Sequence, residues 1–267
     1  GIDTLPVTKL NSLSYLNLRY NNLKNFPNFI SIAPNLTSLL LSRNPFYLSE
    51  TASERKLNSS IIDKIPAGLT SLHLPGTFYG SIDPNLFSKF TNITDFQLGR
   101  GGGAYFHPDG VNANTPLPNI HDTCTTYTAY NNDFRSIASS SGDNKNIKEL
   151  PNLSYLHLSG NYYLSDGSFT TLTSPDINYI NLASTNLPIP NLAGKTQLQT
   201  AYMHYMRSNG GLFSGNTYKF NNCSALETLY LYATNLGGQF PRFTNPNLSY
   251  LEMRYTNVVG GYKDGST

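Results

Sequence analysis

Between Leu13 and Leu23 the chain reads L-S-Y-L-N-L-R-Y-N-N-L, with apolar residues at the first, fourth, sixth and last places and polar ones between them. Around Leu16 and Leu18 the period is two, with Asn17 and Arg19 on the other face. This predicts a short half-buried strand, which Asn21 ends as a turn residue. The same spacing returns along the chain. Ten registers can be set, opening at Leu13, Leu36, Leu69, Ile93, Thr123, Leu153, Ile177, Leu198, Leu226 and Leu248, at intervals of 21 to 33 residues. A unit this small cannot bury its own apolar side, so each must stack on its neighbours. At about 1.5–3 kcal/mol per fully buried leucine or isoleucine, three or four such residues per unit supply the stacking energy.

The registers are uneven. A polar insertion follows Asn44 as far as Ser60, read as a loop or short helix on the outside. Gly101, Gly102 and Gly103 lead into a Pro- and Asn-rich excursion reaching Asn119, and a Ser/Gly/Lys-rich loop runs from Ser139 to Lys148. The fifth register, T-C-T-T-Y-T-A-Y-N-N-D, places Thr123, Thr126 and Thr128 at the apolar positions. That weakens its core by about 0.8 kcal/mol per missing methylene and leaves each hydroxyl in need of a partner.

The pattern L-x-x-L-x-L-x-x-N-x-L resembles the leucine-rich repeat, and the resemblance covers nearly the whole chain. It implies an α/β, β-rich solenoid: one right-handed horseshoe over residues 1–267, with a concave parallel sheet of about ten strands and a mostly irregular convex side. It also implies that the asparagine at the ninth position bonds backbone groups of neighbouring coils. Asn21, Asn44, Asn131 and Asn161 keep that residue, Thr77, Thr185, Thr234 and Thr256 replace it with a hydroxyl, and Gly101 and Met206 break the ladder. The stretches Thr234 to Pro241 (T-N-L-G-G-Q-F-P) and Thr77 to Pro84 (T-F-Y-G-S-I-D-P), and more loosely Asn209 to Phe213, are similar to the extended plant-type repeat. That form carries a second short strand rather than a helix on the convex side.

Charged residues make up 13% of the chain and the net charge is +2, which gives no field suited to nucleic acid. No apolar run approaches the roughly 18 residues of a membrane span. Cys124 and Cys223 lie about four coils apart, roughly 20 Å at ~4.8 Å per strand, so both are expected as free thiols. His73, His157 and His204 fall on coils three, six and eight, too far apart to share a metal. Gly99-x-Gly101-x-x-Ala104 follows a strand, but no helical pattern comes after it and Pro108 intervenes, so it reads as a loop and not as a dinucleotide site. No nucleophile elbow, zinc-binding helix or phosphate loop is present. We therefore expect no enzyme, no metal and no cofactor. The six N-x-S/T triplets, at Asn35, Asn58, Asn92, Asn152, Asn222 and Asn247, are about as many as an Asn-, Ser- and Thr-rich chain carries by chance. Several arise because the repeat opens with N-L-S/T.

On each strand the residues between the apolar ones point to the concave face. In the middle column these are Asn17, Leu40, His73, Gln97, Tyr127, His157, Asn181, Tyr202, Tyr230 and Glu252. Thr125 and Ala129 flank Tyr127 in that reading. Tyrosine dominates the C-terminal half. The candidate ligand-binding residues are Tyr155, His157, Tyr179, Tyr202, His204, Tyr205, Tyr230, Tyr232, Tyr250 and Arg254, with Tyr255 beside them. The expected function is non-catalytic recognition of a protein or glycan by that face. Compositional likeness suggests host or cell-surface attachment of the adhesin or phage-fibre kind, in an extracellular or virion-surface setting. The alternatives are a structural subunit and a receptor-type extracellular domain. Because no polar cap follows Met253, further repeats or a neighbouring subunit are expected over the C-terminal coil.

Overall fold

Ten short strands pair in parallel and in chain order into one sheet. The computed structural model describes residues 1–5, 8–46, 49, 56–75, 82–99, 116–206, 219–239 and 243–259. The sheet holds β1 (Tyr15–Asn17), β2 (Ser38–Leu40), β3 (Ser71–Pro75) and β4 (Asp95–Gly99). It continues through β7 (Thr126–Thr128), β10 (Tyr155–His157), β11 (Tyr179–Asn181), β12 (Thr200–Tyr202), β13 (Thr228–Tyr230) and β15 (Tyr250–Glu252). Among the described residues between these strands, the regular elements are the single-turn helices α1 (Phe29–Ile32) and α2 (Ser59–Ile62) and short strand pairs. The pairs are β5 (Pro116–Leu117) with β8 (Ser136–Ile137), β6 (Ile120–His121) with β9 (Asn144–Lys145), and β14 (Gly237–Gln239) with β16 (Asn257–Val259). The strand β14 is the second strand expected of the stretch beginning at Thr234. Most of the Thr77 stretch, all of Asn209–Phe213 and the glycine run from Gly101 lie outside the described residues.

In the interior coils the first, fourth and sixth positions are buried, as in Leu36, Leu39 and Leu41 or Leu153, Leu156 and Leu158. Phenylalanines fill the space behind them, with Phe87 4.7 Å from Phe96 and Phe96 5.4 Å from Tyr127.

The fifth register is corrected by one residue. Tyr127 pairs with Phe96 on one side and Leu156 on the other, so Cys124, Tyr127 and Ala129 hold the apolar positions and all three are fully buried. The large ring sits between two small side chains, and its hydroxyl donates to Pro118 O at 2.9 Å, which removes the penalty of a buried phenol. The outward residues of this coil are Thr126, Thr128 and Tyr130, not Thr125, Tyr127 and Ala129. The ladder residue moves with them: Asn132, not Asn131, is buried and donates to Leu98 O at 2.9 Å.

Three hydrogen-bond ladders fasten the coils. In the inner one, Asn44 Nδ2 bonds Leu18 O of the preceding coil and Leu41 O of its own, and Asn161 does the same with Ala129 O and Leu158 O. Thr185, Thr234 and Thr256 reach only the carbonyl of their own coil. A second ladder runs along the flank that enters the strands. There the hydroxyls of Thr37, Thr70, Thr94, Thr125 and Ser154 each donate at 3.1 Å to the carbonyl of the equivalent residue one coil back. Beside it, the side-chain amides of Asn35, Asn152 and Asn247 donate to Asn11 O, Asp122 O and Ser224 O. The N-L-S/T triplets are thus a fastening device, with both polar side chains engaged by the preceding coil. On the third, Lys89 and Lys195 each bond two carbonyls of an earlier coil, and Lys64 and Lys219 one each.

The eighth position turns the chain out of the strand. In every coil where that residue is described its backbone is left-handed: Tyr20, Arg43, Asn131, Gly160, Ser184, Tyr205, Ala233 and Tyr255. For the non-glycine members this conformation costs roughly 1–2 kcal/mol each. Gly160 is also held by space, since a Cβ there would lie 2.1 Å from Asn131 Oδ1.

Candidate ligand-binding face

The concave sheet divides into two halves of different chemistry. In coils one to four the polar side chains satisfy one another. His73 is buried; its Nδ1 meets the Arg19 guanidinium and its Nε2 lies 2.5 Å from Asp95 Oδ2. Ser71 Oγ donates to the same carboxylate at 3.0 Å, and Gln97 Nε2 at 3.3 Å. Arginine can only donate, so Nδ1 accepts and Nε2 carries the proton toward the carboxylate. Burial pushes the Asp95 carboxyl up, but the hydrogen bond from His73, with those from Ser71 and Gln97, holds it below the usual range. Both imidazole nitrogens are occupied, which leaves no free base in this relay.

Coils five to ten carry a continuous array of ten aromatic rings. Tyr155 and Tyr179 stack at 4.3 Å and 4°. Tyr179 lies 5.9 Å from Tyr202, Tyr202 stacks on Tyr230 at 4.8 Å, and Tyr230 on Tyr250 at 4.8 Å. A second line joins it: Tyr130 stacks on His157 at 4.9 Å, His204 on Tyr232 at 4.6 Å, and Tyr205 meets Tyr232 edge-on at 5.1 Å. Strand register explains the spacing, because equivalent residues on neighbouring parallel strands stand about 4.8 Å apart. Arg254 closes the end, its guanidinium on Glu252 and 5.6 Å from the Tyr232 centroid.

The structure therefore brings nine of the ten candidate residues into one array and sets Arg254 against its end. Tyr255 stands apart on the corner, 81% exposed and without a ring contact to the array. Tyr130 is an added member that the slipped register hid, although Asn132, at the ninth position counted from Cys124, was a signal for the shift. Burial, and then the neighbouring Tyr179, pushes the Tyr155 phenol up to about 12. The phenol of Tyr250 is likewise raised to about 12, first by its hydrogen bond with Tyr230. Burial also raises Tyr202 and Tyr232. These hydroxyls remain protonated donors at neutral pH.

The pair closest to a catalytic one is Ser159 Oγ with His157 Nε2 at 2.7 Å. Asn181 Nδ2 also donates to that nitrogen at 3.3 Å, which fixes Nε2 as an acceptor. Burial lowers His157 to about 4, far from the value near 7 that suits a general base, and no carboxylate orients the ring among the described residues. A hollow of about 410 Å³ away from this face is lined by Ser139, Ser140, Lys148, Glu149, Asp166 and others. Its charges pair internally, Lys148 with Asp166 at 3.1 Å. Cys124 and Cys223 are free, buried thiols, and burial raises both pKa values, Cys223 to about 11. Among the described residues no group of His, Cys, Asp and Glu could hold a metal ion, and no helix is long and apolar enough to cross a membrane.

His157 sets a pH dependence whose sign is fixed. Its folded pKa of about 4 lies below the ordinary 6.5, so between those values the unfolded chain binds more protons and stability falls as the pH falls. Asp95 adds to the loss at still lower pH, as its depressed carboxyl is protonated. Urea midpoints are expected to drop between pH 7 and pH 4.5 by an amount equivalent to about 2 kcal/mol, and His157→Gln should flatten most of that slope. An equal slope in the variant would show that His157 is not the group responsible.

No family model and no curated sequence matches the chain. Among solved structures it is similar to a leucine-rich-repeat protein of Leptospira interrogans, with a TM-score of 0.52 and 15% identity over 92% of this chain and 67% of that one. Looser likenesses are to the functional domain of InlJ from Listeria monocytogenes (TM-score 0.48, 15% identity, 94% and 56% covered) and to the plant peptide hormone receptor RGFR1 in complex with RGF2 (0.43, 17%, 73% and 33%). The chain spans a third to two thirds of the length of these structures. The repeat spacing, the ten-stranded parallel sheet, the asparagine ladder and the likeness to the Leptospira protein together give this chain the fold of a leucine-rich-repeat solenoid.

Proposed function

We propose that the chain is a non-catalytic recognition module that takes a protein ligand on the concave face of coils five to ten. The observation that carries this reading is the ten-ring array on a sheet face. Tyrosine of this density is the side chain of binding hot spots, because it brings large contact area and a hydrogen-bond donor with little loss of rotamer freedom.

The geometry favours a polypeptide over a glycan. Sugars pack their C–H faces on open ring faces, but here the faces of Tyr155 and Tyr179, of Tyr202, Tyr230 and Tyr250, and of His204 and Tyr232 are turned to one another. What remains for a ligand is ring edges and hydroxyl donors, which suit backbone carbonyls and polar side chains. The neutral, Asn-, Ser-, Thr- and Tyr-rich surface supports an outward-facing setting at a cell or virion surface, with further repeats or a neighbouring subunit on the C-terminal coil.

Panning a displayed random-peptide library against the chain, with a glycan array in parallel, tests the reading. Peptide binders that compete with one another and a blank glycan array are expected. Glycan binding that is abolished by substituting Tyr202 and Tyr230 would overturn the preference.

A further inference from the structure

The hydrogen-bond acceptors of the aromatic face are spent on the chain itself. His157 Nε2 takes bonds from Ser159 Oγ and Asn181 Nδ2, and Asn181 Oδ1 takes the Ala183 N–H at 3.1 Å. Glu252 is held by Arg254 and by the Tyr250 hydroxyl. His204 Nδ1 is buried, and the rings of Tyr202, Tyr205, Tyr230 and Tyr232 surround that imidazole. Each of these acceptors is taken or enclosed.

The donors are in the opposite state. The phenols of Tyr155 and Tyr179, and those of Tyr205 and Tyr232, hydrogen-bond in pairs, and a pair uses one O–H and leaves the other to donate. Among the described residues the hydroxyls of Tyr130 and Tyr202 meet no partner. Because stacked rings turn their faces to one another, a ligand also meets ring edges, which carry the positive side of the quadrupole. The face is therefore a field of donors.

An ordinary extended peptide brings one N–H for every carbonyl, and an N–H pressed on this face loses its water without gaining an acceptor, at about 1–3 kcal/mol each. Proline has no N–H, and a polyproline II helix leaves its carbonyls without internal partners. The strands of coils five to ten span about 24 Å at ~4.8 Å per strand, which such a helix covers in about eight residues at ~3.1 Å each.

Given the preceding reading of a polypeptide ligand, we propose that the segment taken by this face is proline-rich. It lies along the array as a polyproline II helix, with its carbonyls on the tyrosine hydroxyls and ring edges.

Fluorescence anisotropy with a labelled proline nonamer, against a proline-free Ala/Ser/Gly nonamer, tests the proposal on the unaltered protein. The proline nonamer should bind at least tenfold tighter than the control, and alanine at its central prolines should weaken it at least tenfold. Sarcosine at the same places, which also lacks the N–H, should cost less than alanine. The Tyr202, Tyr230 and Tyr232 alanine variant should lose the nonamer at least tenfold. Sarcosine as damaging as alanine, or nonamer binding indifferent to the three tyrosines, would overturn the proposal. Proline-free library peptides that compete for this face while the nonamer does not bind would overturn it and leave the polypeptide reading intact. Failure of every library peptide to bind would remove that reading, and the proline preference with it.

Discussion

Asn161→Ala is expected to destabilise the chain by about 3–5 kcal/mol, the largest effect of any single polar substitution considered. The side chain is fully buried and makes three backbone bonds: Nδ2 to Ala129 O and to Leu158 O, each at 2.7 Å, and Oδ1 from Phe134 N–H at 3.3 Å. Alanine takes the amide donor from two carbonyls and the amide acceptor from Phe134 N–H in a space closed to water, at about 1–3 kcal/mol apiece. The protein contains its own control. Thr185 and Thr234 occupy the same position and keep only the bond within their own coil, so Asn161→Thr should cost about half as much. Because each coil contacts only its neighbours, the damage should be local. Hydrogen exchange should show lost protection in coils five and six first, and a fall in stability below about 1 kcal/mol would contradict the role given to the ladder.

The second large effect is on binding. Changing Tyr202, Tyr230 and Tyr232 together to alanine is expected to weaken the best library-selected peptide at least about 100-fold, or roughly 2.7 kcal/mol. These rings hold the middle of the array, linking Tyr179 on one side with Tyr250 and His204 on the other. Their removal also exposes the faces of their neighbours. The three phenols lie on the open face and the spine beneath them, Ala201, Leu229 and Leu231, is unchanged. Circular dichroism should therefore report a folded chain. Retention of peptide affinity within threefold in that folded variant would move the ligand elsewhere.

Most of the fold was legible because one chemical requirement repeats. Leucine or isoleucine at fixed offsets can only be buried by stacking, and nine of the ten registers follow directly. The fifth failed for a physical reason. Reading T-C-T-T-Y-T-A by leucine equivalence favours the threonines, whereas the core accepts Cys124, Tyr127 and Ala129, one large ring offset by two small residues and a hydroxyl satisfied by Pro118 O. That slip carried Asn131 and Tyr130 with it.

The candidate site was legible as a set of columns but not as an array. Sequence placed Tyr155, Tyr179, Tyr202, Tyr230 and Tyr250 on one face, yet which rings stack depends on side-chain directions that the repeat does not specify. The relay of Arg19, His73 and Asp95 was hidden for the same reason. Arg19 passes over coil two to reach coil three, a contact between residues 54 apart in sequence. The N-L-S/T triplets show the opposite case, a motif with a familiar chemical meaning whose asparagine and hydroxyl are both taken by backbone carbonyls.

Hydroxyl-radical footprinting of the tyrosines, with and without a library-selected peptide, tests the concave-face account most directly. The account predicts protection of Tyr155, Tyr179, Tyr202, Tyr230 and Tyr250 and none at Tyr15, which stands on the same sheet at the other end. Protection confined to tyrosines outside coils five to ten, with Tyr202 and Tyr230 as reactive as in the free chain, would contradict it.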